Sequence, residues 1–565
     1  MTQTELLSIL EFVEKIQCMA QGKNTLAGVD SRWNIILYAM RRHLEGKILT
    51  QTALTMAANV PYGSAIRRIN ELIDEGYILK RQRSKTGKSF SLHPSKQLIG
   101  RFEEYAFQLK SHIGVTFGFN EGGKSLDDFY FGASYMASST LSFPSALSFG
   151  VGFDKKLRIL GPTDPTFNFL AGNPRQINEF CGGPVEMVVM NLDDLRKESI
   201  RNALLEQSEY DLIAFDLPCL GEFVAKKIIV PLNDRIDEEK FNFTDFHNAA
   251  WQGSAYQSDQ YGIPIQSTSE VFLYRTDLFE EFDIDCPPQQ VDDVLQAAQK
   301  LHQVQPGLSG IVMNYGIGTP IAHTFMQTMA SMGQSIMLQS TESNGLFNQG
   351  RPRVDTEVGK KTMEYLLELL DYAHPCSLSC DWDKRIRTFA KGEAAMTYGW
   401  SIRASMVELS DYTTVAQQVG YCAPPSALGV ASVSPIGGFS LAIPNNMSKE
   451  RQDTAWRVMK YLTRPELIKW YALNGNYSST RYSTSADPEV KMVSPVVELV
   501  DELERKGQVQ TGVRPPIPEY FDIIKILGEE IHSILVRTYS VAAGLKRAQV
   551  RLDKLSINVR VGRSS

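Results

Sequence analysis

The sequence predicts a multi-domain chain, with an N-terminal module that is mostly α-helical with a β wing and a large α/β body behind it. Three observations predict this. The chain has 565 residues, where one domain usually takes about 100–200. Between Ser31 and Leu92 the apolar pattern passes from helical spacing to two short alternating runs. From Lys156 onward short apolar strands alternate with helices, the pattern of parallel sheets with helical crossovers.

Residues 1–30 read as one amphipathic helix. Leu6, Leu7, Leu10, Val13 and Ile16 recur at helical spacing. The same stretch carries Glu5, Glu11 and Glu14 and no early lysine or arginine, unlike the basic start and apolar run of an export signal. No later segment reaches about 18 uninterrupted apolar residues, so no membrane span is expected. The seven cysteines (Cys18, Cys181, Cys219, Cys286, Cys376, Cys380 and Cys422) are odd in number and scattered, which argues against a disulfide framework. Together these features predict a cytoplasmic chain with reduced thiols. Cys376 and Cys380, separated by Ser-Leu-Ser with His374 nearby, lack further ligands in sequence, so no metal and no cofactor is expected.

Residues 31–96 form the predicted module. A helix runs from Arg32 to Leu44, and Thr50 caps a second, short helix. Pro61 opens a third, YGSAIRRINELIDEGYI, which Gly76 ends. Two short runs then flank Lys85-Thr86-Gly87-Lys88, a hairpin with glycine in the turn. From Pro61 to Lys96 there are eight basic residues against three acidic ones, a local charge of +5 in a chain of net charge −6. The segment TQTALTMAANVPYGSAIRRINELIDEGYILKRQRSKTGKSFSLHP resembles the winged helix-turn-helix of MarR-like repressors. That resemblance implies duplex operator DNA as a partner, with Tyr62, Ser64, Arg67 and Arg68 in the groove. Arg81, Arg83, Lys85 and Lys88 would neutralise phosphates from the wing. It also implies a homodimer, built through the helix that follows the wing. Two plainer readings stay open. The bases form a solvated face of a protein-interaction module, or Tyr62 packs on the preceding helix.

Residues 97–155 read as that helix, LIGRFEEYAFQLKSHI, and a linker rich in glycine, serine and phenylalanine. Residues 156–565 are the body. KLRILG, VEMVVMN and YDLIAFD are its first strands, with a helix from about Phe167 to Phe180 after the first. Ligands of such sheets bind beyond the carboxyl ends of the strands, here Gly161 to Asp164 and Phe215 to Pro218.

DLIAFDLPCLGEFVAKKIIVPLNDRI and QYGIPIQSTSEVFLYRTDLFEEFDIDCPPQQVDDVLQAAQKL resemble the first-lobe and lobe-connecting segments of family 1 extracellular solute-binding proteins of ABC importers. FAKGEAAMTYGWSIRA, SPIGGFSLAIPNNMSKERQDTAWRVMKYLTRPELIKWYALNGNYSSTR and RPPIPEYFDIIKILGEEI resemble later segments of the same family. The resemblance runs from about Lys156 to Leu555 and implies a two-lobed α/β fold, like that of periplasmic binding proteins, closing on a small solute. The candidate ligand contacts are Thr163 and Asp164, Asp216, Gln266 and Thr268 in a loop between crossover strands, Trp400, Gly438 and Phe439, and Arg514. An indole face with amide and hydroxyl groups suits a sugar, sugar acid or polyol. Gln266 and Thr268 stand where many sugar binders have aspartate, which weakens a neutral-sugar reading. Trp400 is either a stacking platform or core. Asp216 either meets ligand or caps the next helix, and Arg514 either meets ligand or pairs with a carboxylate at the hinge.

No P-loop, GxSxG elbow or HExxH pair occurs, and the eight histidines are scattered, so no enzyme is expected. The basic module with no export signal predicts a cytoplasmic, ligand-responsive transcription regulator. The alternative is the solute-binding component of an ABC importer.

Overall fold

The structure is a computed structural model. It describes residues 10, 13, 31–44, 47, 49–82, 90–102, 105, 152–285, 287–341, 346–408, 413–493, 495–555 and 561–563. The chain divides into two compact units, residues 1–148 and 149–565.

In the first unit three helices precede an antiparallel hairpin. They are α1 (Ser31–Leu44), α2 (Gln51–Ala57) and α3 (Tyr62–Asp74). Thr50 starts α2 by accepting the Ala53 amide at 3.2 Å. Beyond α3, Gly76 takes φ +78°, a left-handed turn that costs glycine nothing. Strand β1 (Ile78–Gln82) then pairs with β2 (Phe90–Pro94), Ile78 opposite Pro94. The core joins Ile35, Leu54, Ala65, Ile69, Leu72, Ile78 and Leu92. Tyr62 is 71% exposed and Ser64 and Arg81 are exposed, so Tyr62 does not pack on the preceding helix. Arg67 and Arg68 both pair with Glu71 of their own helix, at 3.4 and 2.8 Å. Arg83, Lys85 and Lys88 lie outside the described residues, as does most of the linker.

The second unit opens with β3 (Leu157–Pro162), α4 (Pro165–Gly172), β4 (Val185–Met190), α5 (Leu192–Ala203) and β5 (Leu212–Asp216). β3 is parallel to both β4 and β5. The single helix expected from Phe167 to Phe180 is two helices. Pro174 cannot continue α4 and starts the helix Pro174–Cys181 instead.

β6 (Ile263–Arg275) organises the rest. Then come α6 (Thr319–Ser331), α7 (Trp382–Ala390), β7 (Met396–Trp400), β8 (Val419–Cys422), β9 (Ser434–Ala442), α8 (Pro495–Arg505) and α9 (Tyr520–Leu535). One eight-stranded sheet runs β7-β6-β9-β5-β3-β4, with β8 also on β6 and the short strand Val509–Gln510 on β9. The first half of β6 pairs with β9, Ile436 opposite Ser269. Its second half pairs with β7 and β8, Glu270 opposite Trp400. One strand therefore serves both lobes. Gln266-Ser267-Thr268 was expected as a loop and instead lies mid-strand. The stretch has neither glycine nor proline, and its polar side chains are buried between the lobes. The second lobe packs Phe272, Phe279, Phe325, Met363 and Leu366 with Leu527 and Ile531 of α9 in one core. Among the described residues no helix is long and apolar enough to cross a membrane.

Glu504 of α8 is 5% exposed. One carboxylate oxygen accepts the Ala249 amide at 3.3 Å and the other has no hydrogen-bond partner. Burial, reinforced by Asp501, pushes its carboxyl up to about 7. The folded value lies above the unfolded one. Its stabilising share is therefore full below about pH 4.5 and is lost as pH rises through about 7. Glu504→Gln is thus expected to match the parent at pH 5 and exceed it at pH 8 by about 2 kcal/mol, allowing for the amide's unpaired N–H groups. Urea unfolding at the two pH values measures this, and equal gains at both would refute it.

Candidate ligand-binding site

A cavity of about 200 Å³ lies where β3, β5, β6, β7 and β9 end or change partner. All nine residues expected to meet ligand line it. The strand register explains why. Phe439 on β9 is opposite Asp216 on β5 and opposite Gln266 on β6, so three adjacent strands place these side chains in one row. Gly438 takes φ +122°, and a Cβ there would stand 2.3 Å from the Gln266 carbonyl oxygen, so only glycine fits.

Asp164 ends β3 and caps α4. Its Oδ1 accepts the Thr166 amide at 3.0 Å, and its Oδ2 accepts from Gln266 Nε2 at 3.3 Å. The Gln266 Oε1 is buried with no hydrogen-bond partner, an acceptor left over in the cavity wall. Thr268 is different. Its hydroxyl is 3.1 Å from Ser401 Oγ and accepts the Ile402 amide at 3.1 Å. It therefore ties β6 to the turn after β7.

Asp216 makes no capping bond to the turn that follows it. It accepts instead from Arg514 Nη2 at 2.7 Å. Arg514 also lies 5.5 Å from the centre of the Trp400 ring. Burial alone would lower the guanidinium pKa, but Asp216 and Tyr520 outweigh it and hold Arg514 charged. Both open readings of Arg514 thus meet in one place: it pairs with a carboxylate, and the pair lines the cavity. Trp400 is 9% exposed and forms cavity wall and core edge together. His323 lies 5.3 Å and Trp382 6.1 Å from its ring. Gly437 leaves this corner open, since a Cβ would sit 3.1 Å from both Trp400 and Arg514.

Other lining residues escaped the sequence reading. Trp382 opens α7 beside Trp400, and Arg403 follows β7. Arg196 on α5 holds Glu222 at 2.6 and 2.8 Å and stacks 4.2 Å over Phe521, the neighbour of Tyr520 on α9. The one available signal was Asp381, a helix-capping type directly before Trp382; it accepts the Lys384 amide at 2.8 Å. Cys219 also lines the cavity, but burial pushes its thiol well up, so it is a poor nucleophile. Among the described residues no group of three or more His, Cys, Asp or Glu is placed to hold a metal ion.

The family model described as bacterial extracellular solute-binding protein matches residues 179–494, more than half of the chain. The chain belongs to that family. It is 22% identical over 393 residues to a probable amino-acid ABC transporter periplasmic-binding protein of Sinorhizobium fredii, covering 67% of this chain and 83% of that one. It is 23% identical over 383 residues to the maltotriose-binding protein of Pyrococcus abyssi, covering 62% of this chain and 75% of that one. Among solved structures, an ABC transporter solute-binding protein of Agrobacterium radiobacter K84 in complex with ribitol is 25% identical, with a TM-score of 0.65. That match covers 72% of this chain and all of the other.

Membership in this extracellular family overturns two expectations. The main functional reading, a DNA-binding regulator, gives way to the alternative, a solute-binding component of an ABC importer. The cytoplasmic assignment falls with it, because the matched proteins are extracellular or periplasmic. The same relatives lend no support to duplex DNA or a homodimer as partners. The physical reason lies in the weighting. A short basic segment outweighed a fold signature several times longer, and two of its arginines are already paired with Glu71.

Proposed function

We propose that this chain is the solute-binding component of an ABC importer, and that its solute is a linear polyol or a single sugar unit. One observation carries the reading. The cavity sets the Trp400 indole beside a mutually neutralised Arg514–Asp216 pair and a spare Gln266 carbonyl oxygen. Such a surface offers an apolar face for C–H groups and both donors and acceptors for hydroxyls, with little net charge. The cavity of about 200 Å³ is also smaller than the roughly 300–1,000 Å³ of larger-ligand pockets. This favours a small solute like the ribitol in the Agrobacterium radiobacter complex over a trisaccharide. First-lobe residues such as Asp164 and Asp216 face second-lobe residues such as Trp382 and Trp400 across it. A solute touching both sets gains its full contacts only when the lobes are together, so binding favours the closed form.

Thermal shift and calorimetry with ribitol, D-mannitol, monosaccharides, maltotriose and amino acids test this. A polyol or monosaccharide at 100 times its Kd is expected to stabilise the chain by about 2.7 kcal/mol. A shift with maltotriose or an amino acid alone would refute the solute class.

The order of three helices and a hairpin over residues 31–94 supports a winged-helix type of fold for the N-terminal unit. We attach no separate activity to it.

A further inference from the structure

A second cluster lies in the second lobe, in a polar cavity lined by His374, Cys376, Lys384, Arg387 and Lys391 among others. The turn Pro375–Ser379 brings Cys376 Sγ within 3.0 Å of Cys380 Sγ. A disulfide needs about 2.05 Å, so the sulfurs have roughly 1 Å to travel. Cys376 is half-buried and faces the cavity, whereas Cys380 is fully buried behind it. His374 Nδ1 lies 3.0 Å from Cys376 Sγ, and its Nε2 is 3.7 Å from Glu393. The reduced-thiol expectation rested on a cytoplasmic location, and the family's extracellular setting is one in which disulfides form and persist.

We propose that Cys376 and Cys380 form a reversible disulfide, a redox modification site whose co-reactant is a small disulfide of the glutathione type. His374 Nδ1 takes the Cys376 proton, and the thiolate attacks one sulfur of the oxidant. The oxidant's S–S bond breaks, one thiol leaves with that proton, and a mixed disulfide stands on Cys376. Cys380 Sγ then attacks Cys376 Sγ, and the second thiol leaves with the Cys380 proton. Two protein thiols lose two electrons in all, and one oxidant disulfide becomes two thiols. Burial and the hydrogen bond to Cys376 hold the Cys380 thiol well up, which suits the resolving role rather than the first attack.

The bridge would staple the turn that leads into α7. The Cys380 carbonyl oxygen accepts the Gly316 amide at 2.9 Å, and Trp382, two residues on, lines the ligand cavity. Redox state at this site would therefore set the stiffness of one wall of the other.

The test treats the full chain with oxidised glutathione, alkylates free thiols under denaturing conditions and maps peptides by mass spectrometry. The peptide holding both cysteines is expected to be unalkylated and lighter by two hydrogens, while Cys181, Cys219 and Cys422 are alkylated. Cys380→Ser should instead accumulate glutathione on Cys376, and Cys376→Ser should leave Cys380 alkylated. Full alkylation of Cys376 and Cys380 in the treated parent overturns the proposal. A glutathione adduct on Cys380 in Cys376→Ser overturns the assigned order of attack. None of these readouts depends on the identity of the transported solute.

Discussion

Glu270→Ala is expected to destabilise the second lobe by about 4 kcal/mol, because it strands a buried guanidinium. Glu270 sits on β6 with no exposure, and His323 and Arg385 are each 1% exposed. One carboxylate oxygen accepts from Arg385 Nη2 at 2.7 Å, the other from His323 Nε2 at 2.6 Å. Burial opposes the charge on Glu270, yet Arg385 and His323 outweigh it and hold the carboxyl down to about 2. Burial likewise pushes His323 down despite Glu270, so the imidazole is the neutral donor and Arg385 carries the positive charge. Arg385 Nε already lacks a hydrogen bond, so removing Glu270 leaves the buried guanidinium with neither its carboxylate nor that bond. Glu270→Gln keeps the shape without the charge and should fall between the two. The pH dependence has a definite sign. The folded pKa lies below the unfolded value, so the stabilisation is full above about pH 4.5 and is lost as pH falls towards about 2. Urea unfolding should accordingly show the gap between parent and Glu270→Ala narrowing from pH 6 to pH 3. A gap that stays constant, or is under about 1 kcal/mol at pH 7, would show that the cluster contributes no net stabilising charge pair.

Arg514→Ala is expected to weaken solute binding by at least a hundredfold, about 3 kcal/mol. The change removes the partner of Asp216 and leaves a bare carboxylate on the cavity wall. It also removes the cation beside Trp400 and the 3.4 Å bond to the Ile436 carbonyl oxygen on β9. Arg514→Lys restores the charge but not the planar fork and should recover affinity only in part. Asp216→Asn should weaken binding too, since it leaves Arg514 uncompensated. Calorimetry with the best solute from the screen decides the matter. Binding within threefold of the parent in Arg514→Ala would make the pair a brace of the fold rather than part of the recognition surface.

The body was legible in the sequence because its signals are local and repeated. Leu157–Pro162, Val185–Met190 and Leu212–Asp216 are short apolar runs between helices, and parallel sheets carry ligand groups at strand ends. That rule pointed to Thr163, Asp164 and Asp216, which the structure sets in one cavity with Trp400 and Arg514. What escaped was tertiary. Trp382, Arg403 and Phe521 reach the cavity from elements whose own pattern says only where they begin or what they bury. The partner of Asp216 lies 298 residues away, so no spacing rule could choose between cap and ion pair. Function was misread for a related reason. Local charge near the N-terminus is easy to count, whereas the pairing of both Arg67 and Arg68 with the single Glu71 is seen in the built helix.

The continuity of β6 sets a parity for the whole body. Alternate residues of a strand share a face, so Gln266, Thr268 and Glu270 are locked in phase: two on the cavity wall or its tie, the third beneath the tryptophan. Inserting or deleting one residue between them would not merely shift the second lobe along. It would turn that lobe's interior face outward relative to the first, putting Ser269 (after an insertion) or Val271 (after a deletion) in the place of Glu270 at the buried charge. Length variation is therefore tolerable in the surrounding loops and forbidden along this strand, which acts as a common ruler for a recognition surface and a core that otherwise share few residues.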